Sequence, residues 1–144
     1  MLQKALAGDG AAVSKLAVKL WPGHSAGELE KGFEELIGKR DAAVFVYKIE
    51  DTLVGFAQCG LRYDYVEGTE SSPVGYLEGI FIEEAFRGKG HAKTLLEGCE
   101  RWAREQGCME FASDCEISNL DSLRFHINHG FTEANRIICF TKKL

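Results

Sequence analysis

The chain has 144 residues, a formal net charge of −5 and 45% apolar residues, the size and makeup of a single globular domain. The acidic balance argues against nucleic acid as the main partner, because phosphate backbones call for basic stripes. No stretch approaches the ~20 apolar residues of a membrane span, and Met1-Leu2-Gln3-Lys4 lacks the apolar core of a secretion signal, so a cytoplasmic protein is expected.

In chain order, Leu2 to Ala5 reads as a short strand. Asp9 can cap a helix from about Ala11 to Trp21, with Val13, Leu16, Ala17 and Leu20 on one face. Trp21-Pro22-Gly23-His24 breaks it, and Ser25 with Glu28 has capping-box spacing for a second helix to about Gly38. Ala43 to Glu50 and Leu53 to Tyr63 read as a hairpin turning at Glu50-Asp51. Asp64 to Pro73 is an acidic loop of a length that is often functional. Val74 to Ile82 is the next strand. A helix from about Gly90 to Gln106 buries Ala92, Leu95, Leu96, Cys99 and Trp102, and Gly107 stops it. Met109 to Asp114 forms a short strand, and Ser118-Asn119 begins a helix that ends at Gly130. Phe131 and Ile137 to Thr141 supply the last strands. The crossover from Ile82 to Met109 should be parallel.

The five cysteines, Cys59, Cys99, Cys108, Cys115 and Cys139, are odd in number, irregularly spaced and without a C-x-x-C pair. Neither a zinc site nor a disulfide framework is expected. Most read as core residues in a reducing compartment.

The chain is organised around Tyr76 to Ala92. An apolar strand ends in a turn, and the basic loop Arg87-Gly88-Lys89-Gly90-His91-Ala92 opens a helix. Glycines leave backbone N–H groups unobstructed, and a helix N-terminus adds roughly half a positive charge. Together they form an anion site suited to a diphosphate; the competing reading is a plain strand-to-helix turn. Acids crowd Asp64 to Glu84 and again Glu110 to Glu116, a field that attracts a cationic substrate. Glu83 and Glu84 read as a solvated face. Glu78 and Asp114 do not, because apolar neighbours surround them in sequence.

Arg87-Gly88-Lys89-Gly90-His91-Ala92 fits the Arg/Gln-x-x-Gly-x-Gly/Ala signature of the Gcn5-related N-acetyltransferases. Asn119 to Phe131 resembles the second block of that family, Asn…Phe-Tyr-x-x-x-Gly-Phe. A narrower resemblance spans nearly the whole chain. Leu20-Trp21-Pro22-Gly23-His24, Arg62-Tyr63-Asp64-Tyr65-Val66, Ser71-Ser72-Pro73, Tyr76 to Phe81 and Ala112-Ser113-Asp114 are similar to the aminoglycoside 6′-N-acetyltransferases. The resemblance implies one α/β acyl-CoA N-acyltransferase domain over residues 1–144, with a mixed central sheet and helices on both faces. It implies acetyl-CoA as co-substrate, no metal, and transfer of an acetyl group to the 6′-amine of an aminoglycoside, with antibiotic resistance as the consequence.

Acyl transfer from a thioester to an amine requires a held cofactor, a polarised carbonyl, a neutral amine and a thiolate able to leave. The resemblance assigns the pyrophosphate to the backbone of Arg87, Gly88, Lys89, Gly90, His91 and Ala92, with Arg87 and Lys89 adding charge. It pairs the pantetheine arm with Ile80, Phe81 and Ile82, one amide facing the thioester oxygen. Gly79 would let that strand bulge. Asn119 matches a cofactor-contacting Asn; helix capping is its other reading. Glu78 and Asp114 are the implied catalytic pair. A carboxylate can bind an ammonium of pKa roughly 10 and relay its proton, directly or through water; binding alone is the alternative. Trp21, His24, Tyr65 and Asn135 join them around the substrate. Trp21 is also a candidate core anchor, and Asn135 stands where these enzymes often carry an acid. His126 stands where many members carry a tyrosine acid, and packing is its more ordinary role. Two further readings remain: acetylation of another cationic small molecule or a protein amine, and a CoA-binding sensor without turnover. A homodimer is expected, with Ile137-Ile138-Cys139-Phe140 pairing across its interface.

Overall fold

The centre of the molecule is an antiparallel hairpin. Strand β2 (Ala42–Ile49) pairs with β3 (Thr52–Arg62) through a turn at Glu50-Asp51. Both turn residues take positive φ, 47° and 66°, as a two-residue loop must if its twist is to match its strands. Strand β1 (Leu2–Lys4) adds to β2 and β4 (Val74–Ile82) to β3, both antiparallel, while β5 (Phe111–Ser113) lies parallel to β4. The result is a mixed sheet in the order β1-β2-β3-β4-β5. The computed structural model describes residues 1–144.

Alternation along the strands sends successive side chains to opposite faces, and each face has its own core. Helices α1 (Gly10–Leu20) and α2 (Ala26–Ile37) cover one, where Val13, Leu16, Ala17 and Phe33 pack with Val44, Val46 and Phe56. Helix α3 (His91–Glu105) covers the other, setting Leu95, Leu96, Cys99 and Trp102 against Ala43, Ala57, Cys59 and Leu77. Helix α4 (Leu120–Asn128) has no fully buried residue and joins this second core at its rim through Phe125. Cys59, Cys99 and Cys108 are buried and unpaired; Cys115 and Cys139 are exposed.

Strand β4 breaks the alternation once. Gln58 pairs with Gly79 and Cys59 with Leu77, leaving Glu78 without a partner on β3. This β-bulge puts Leu77, Ile80 and Ile82 into the same core, where strict alternation would separate Leu77 from Ile80. The bulged residue falls one position before Gly79. A Cβ on Gly79 would lie 2.6 Å from the Trp21 ring, so the glycine admits a close approach of that ring.

Two expectations are corrected. The Asp9 side chain does not cap α1; it accepts the Leu6 N–H at 2.8 Å. Glu34 of α2 accepts the N–H groups of Gly8 and Gly10 instead, so the helix end is satisfied by a tertiary neighbour. The strands expected at Phe131 and at Ile137 to Thr141 do not form. Residues 131–144 hold no regular element, and residues 132–144 make no backbone–backbone hydrogen bond. Ile137, Ile138 and Phe140 are 72%, 80% and 88% exposed. An apolar run becomes a strand only against a partner ladder, and none lies beside this one within the chain.

Candidate active site

A cleft of about 600 Å³ opens between the end of β4, the start of α3 and the side of α4. Ile80, Phe81 and Ile82 line it from the sheet; Arg87, Gly88, Gly90, His91 and Ala92 line it from the loop, and Asn119 from α4. Lys89, expected with them, does not: its Nζ lies 5.8 Å from the centre of the Phe86 ring. Gly88 and Gly90 hold φ of 76° and 80°, left-handed values that any other residue adopts at a cost. A Cβ at either would meet nothing within 4 Å, so conformation and not space demands glycine. The turn leaves the N–H groups of Gly88 to Lys93 without a protein acceptor. Consecutive free donors at the positive end of a 15-residue helix form a cradle for a multiply charged anion. The Arg87 Nε donates to the Ile82 carbonyl at 2.8 Å, pinning the loop to the strand that precedes it.

Asn119 caps a helix and also faces the cleft. Its Oδ1 accepts the Ser122 N–H at 3.1 Å, capping α4, and its side lines the cleft. His126 does not line it. Its Nδ1 meets the Ser122 carbonyl at 2.6 Å and its Nε2 the Ser113 hydroxyl at 2.8 Å, while its ring packs edge-on to Phe131. This histidine ties α4 to the end of β5. Lys19, Leu20, Phe86, Phe125 and His129 also line the cleft, none of them assigned a site role from the sequence. Phe125 and His129 are four residues apart on α4, a spacing that puts both on one helix face.

The two expected catalytic acids stand beyond the cleft along β4. The expectation that apolar neighbours enclose them is corrected: Asp114 is exposed and the Glu78 side chain is 34% exposed. The bulge sends Glu78 to the open side of the sheet, and β5 ends before Asp114. A four-residue chain nonetheless connects them. Arg62 Nη2 lies 3.0 Å and 3.2 Å from the two Glu78 carboxylate oxygens. Its guanidinium stacks 3.4 Å above the Tyr76 ring centre, and the Tyr76 hydroxyl donates to Asp114. Burial first, and then the hydrogen bond to Asp114, pushes the Tyr76 hydroxyl well above the usual tyrosine range. It therefore stays protonated and donating at neutral pH. Two acids and one arginine leave this corner negative, as an ammonium site requires.

The remaining expected substrate residues scatter. Trp21 packs at the rim of the α1–α2 core, its ring 6.4 Å from Phe33 and 6.1 Å from Phe56, and covers Gly79 beside Glu78. Tyr65 is 76% exposed on the acidic loop. Asn135 donates to Glu67 Oε1 at 3.2 Å, clasping the C-terminal segment to that loop. His24 lies 3.9 Å from Glu28. Arg62 and Tyr76 carried no role in the sequence reading, because their meeting depends on the register of β3 against β4.

The model of the Acetyltransferase (GNAT) family matches residues 12–131. The aminoglycoside N(6′)-acetyltransferase type 1 of Serratia marcescens is 41% identical over 130 residues, covering 90% of this chain and 89% of its own. The enzyme of that name from Stenotrophomonas maltophilia is 36% identical over 143 residues, covering 99% and 93%. Among solved structures, AAC(6′)-Iy in complex with a bisubstrate analogue, CoA-S-monomethyl-acetylneamine, superposes with a TM-score of 0.95 at 35% identity, covering 100% of this chain and 98% of its own. On its sequence and its fold alike, the chain belongs to the acetyltransferase (GNAT) family.

Proposed function

We propose that this protein transfers an acetyl group from acetyl-CoA to the 6′-amine of aminoglycoside antibiotics and so confers resistance to them. The observation that carries the reading is the continuity of the site. An anion cradle at Gly88 to Lys93, an apolar wall at Ile80 to Ile82 and an acidic corner at Glu78 follow one another along a single strand and loop. This order matches a cofactor with a diphosphate at one end and a thioester at the other, facing a cationic amine. The likeness in sequence to enzymes named for this reaction supports it.

When bound, acetyl-CoA supplies an activated acyl carbon with a thiolate leaving group. The chain supplies the rest. The free N–H groups of Gly88 to Lys93 hold the diphosphate, and the backbone of Ile80, Phe81 and Ile82 holds the arm that leads to the thioester. An amide of β4 beside the bulge stabilises charge on the attacked carbonyl oxygen. Glu78 receives the substrate ammonium and takes its proton, directly or through a water, so that the amine attacks neutral. Asp114, fixed by Tyr76, offers a second anionic contact. Residues 1–144 act as one catalytic domain in the cytoplasm.

The protein works as a homodimer in this reading. The apolar segment Ile137 to Phe140 has no partner in its own chain, and β5 is hydrogen-bonded on one side alone. A second copy brings a complementary strand to an open edge. A panel assay tests the function: acetyl-CoA consumption with kanamycin, a linear polyamine and a lysine peptide. Turnover highest with kanamycin is expected; turnover restricted to the other two would redirect the substrate.

A further inference from the structure

We propose that Arg62 occupies the ammonium position of Glu78 and competes with every incoming amine for that carboxylate. The inference rests on the reading of Glu78 as the amine-binding carboxylate. One nitrogen, Nη2, sits 3.0 Å and 3.2 Å from the two oxygens, which is the place a substrate ammonium would take to bridge both. Arg62 is held there from below. Its guanidinium lies flat on Tyr76 at 3.4 Å, and Tyr76 is itself buried and anchored to Asp114. The Arg62 side chain is 43% exposed, so it can swing to solvent when displaced.

An incoming amine therefore meets a carboxylate that already has a cation. A monoamine that displaces Arg62 exchanges one ion pair for another and gains little. A substrate with a second ammonium also reaches the field of Asp114, whose negative charge no lysine or arginine neutralises: its one hydrogen-bond partner is the neutral Tyr76 hydroxyl. The second contact offsets the displacement. Arg62 thus acts as a built-in competitor that charge on the substrate must overcome.

The test compares kanamycin with 6-amino-6-deoxyglucose, which carries one amine. Arg62→Gln is expected to lower KM for both amines by about two- to five-fold, the scale of a half-exposed ion pair, with the change falling in KM and not in kcat. In an E78Q background the same substitution should leave both dissociation constants unmoved, a coupling that a purely structural role would not produce. A KM that is unchanged or rises for both amines in R62Q would overturn the proposal. Coenzyme A binding by calorimetry checks that each variant is folded. If R62Q fails that check, Arg62→Met, which keeps the aliphatic stem over Tyr76, carries the same expectation. A wild-type protein that acetylates neither amine would refute the proposed function itself, an outcome separate from an unmoved KM.

Discussion

Glu78 owes its direction to one unpaired position in the β3–β4 ladder, and its setting to Arg62 and Tyr76. If it receives the ammonium and its proton, Glu78→Gln should lower kcat/KM for the amine by about a hundredfold or more, the scale of lost general base catalysis, while coenzyme A affinity stays within error. Steady-state kinetics beside calorimetry reads both. Asp114→Asn should act more weakly and mainly on KM. Tyr76 predicts a pH effect. Its folded proton affinity is raised by burial and by Asp114, so above about pH 10 the unfolded chain releases a proton that the folded chain keeps. Stability is then full below that pH and falls as pH rises through and beyond it. The melting temperature should drop more steeply between pH 9.5 and 11 (roughly the tyrosine range) in the wild type than in Tyr76→Phe. At this scale the glycine turn could be read from the chain, because its own residues mark it, whereas the apolar sequence neighbours of Glu78 and Asp114 misled, since both side chains lie open to solvent. Arg62 and Tyr76 could not, since 14 positions separate them and only strand pairing brings them together.

The elements that form the site are a bulged strand, a glycine turn and a helix start. Gly90 closes the turn at φ 80° as the N-cap of α3. Gly90→Ala would force a left-handed alanine at a cost of roughly 1 kcal/mol or more or rotate the peptide and withdraw N–H donors from the cradle. KM for acetyl-CoA should rise several-fold while KM for the amine changes less. Equal changes in both would argue that the cradle does not hold the cofactor. The helices and the central hairpin were legible because their apolar periods are local. The cap of α1 was not: Asp9 has the right type and position, but Glu34 wins the N–H groups through the packing of α2 against α1.

For the whole molecule, the C-terminal segment carries the clearest lesson. Ile137 to Thr141 has the composition of a strand, yet strandedness belongs to a pair, and this segment makes no backbone–backbone hydrogen bond. The homodimer reading predicts a dimer by light scattering and a monomer when Ile137 and Phe140 are both changed to Asp. A monomeric wild type would contradict it. No helix is long and apolar enough to cross a membrane. The whole arrangement has a purpose only if an acetyl group moves from the cradle side to the acidic side. Mass spectrometry of the products from acetyl-CoA and kanamycin tests this most directly. The account predicts a single added acetyl group, which fragmentation places on the 6′-nitrogen. Kanamycin recovered unmodified, or acetylated on a different amine, would contradict it.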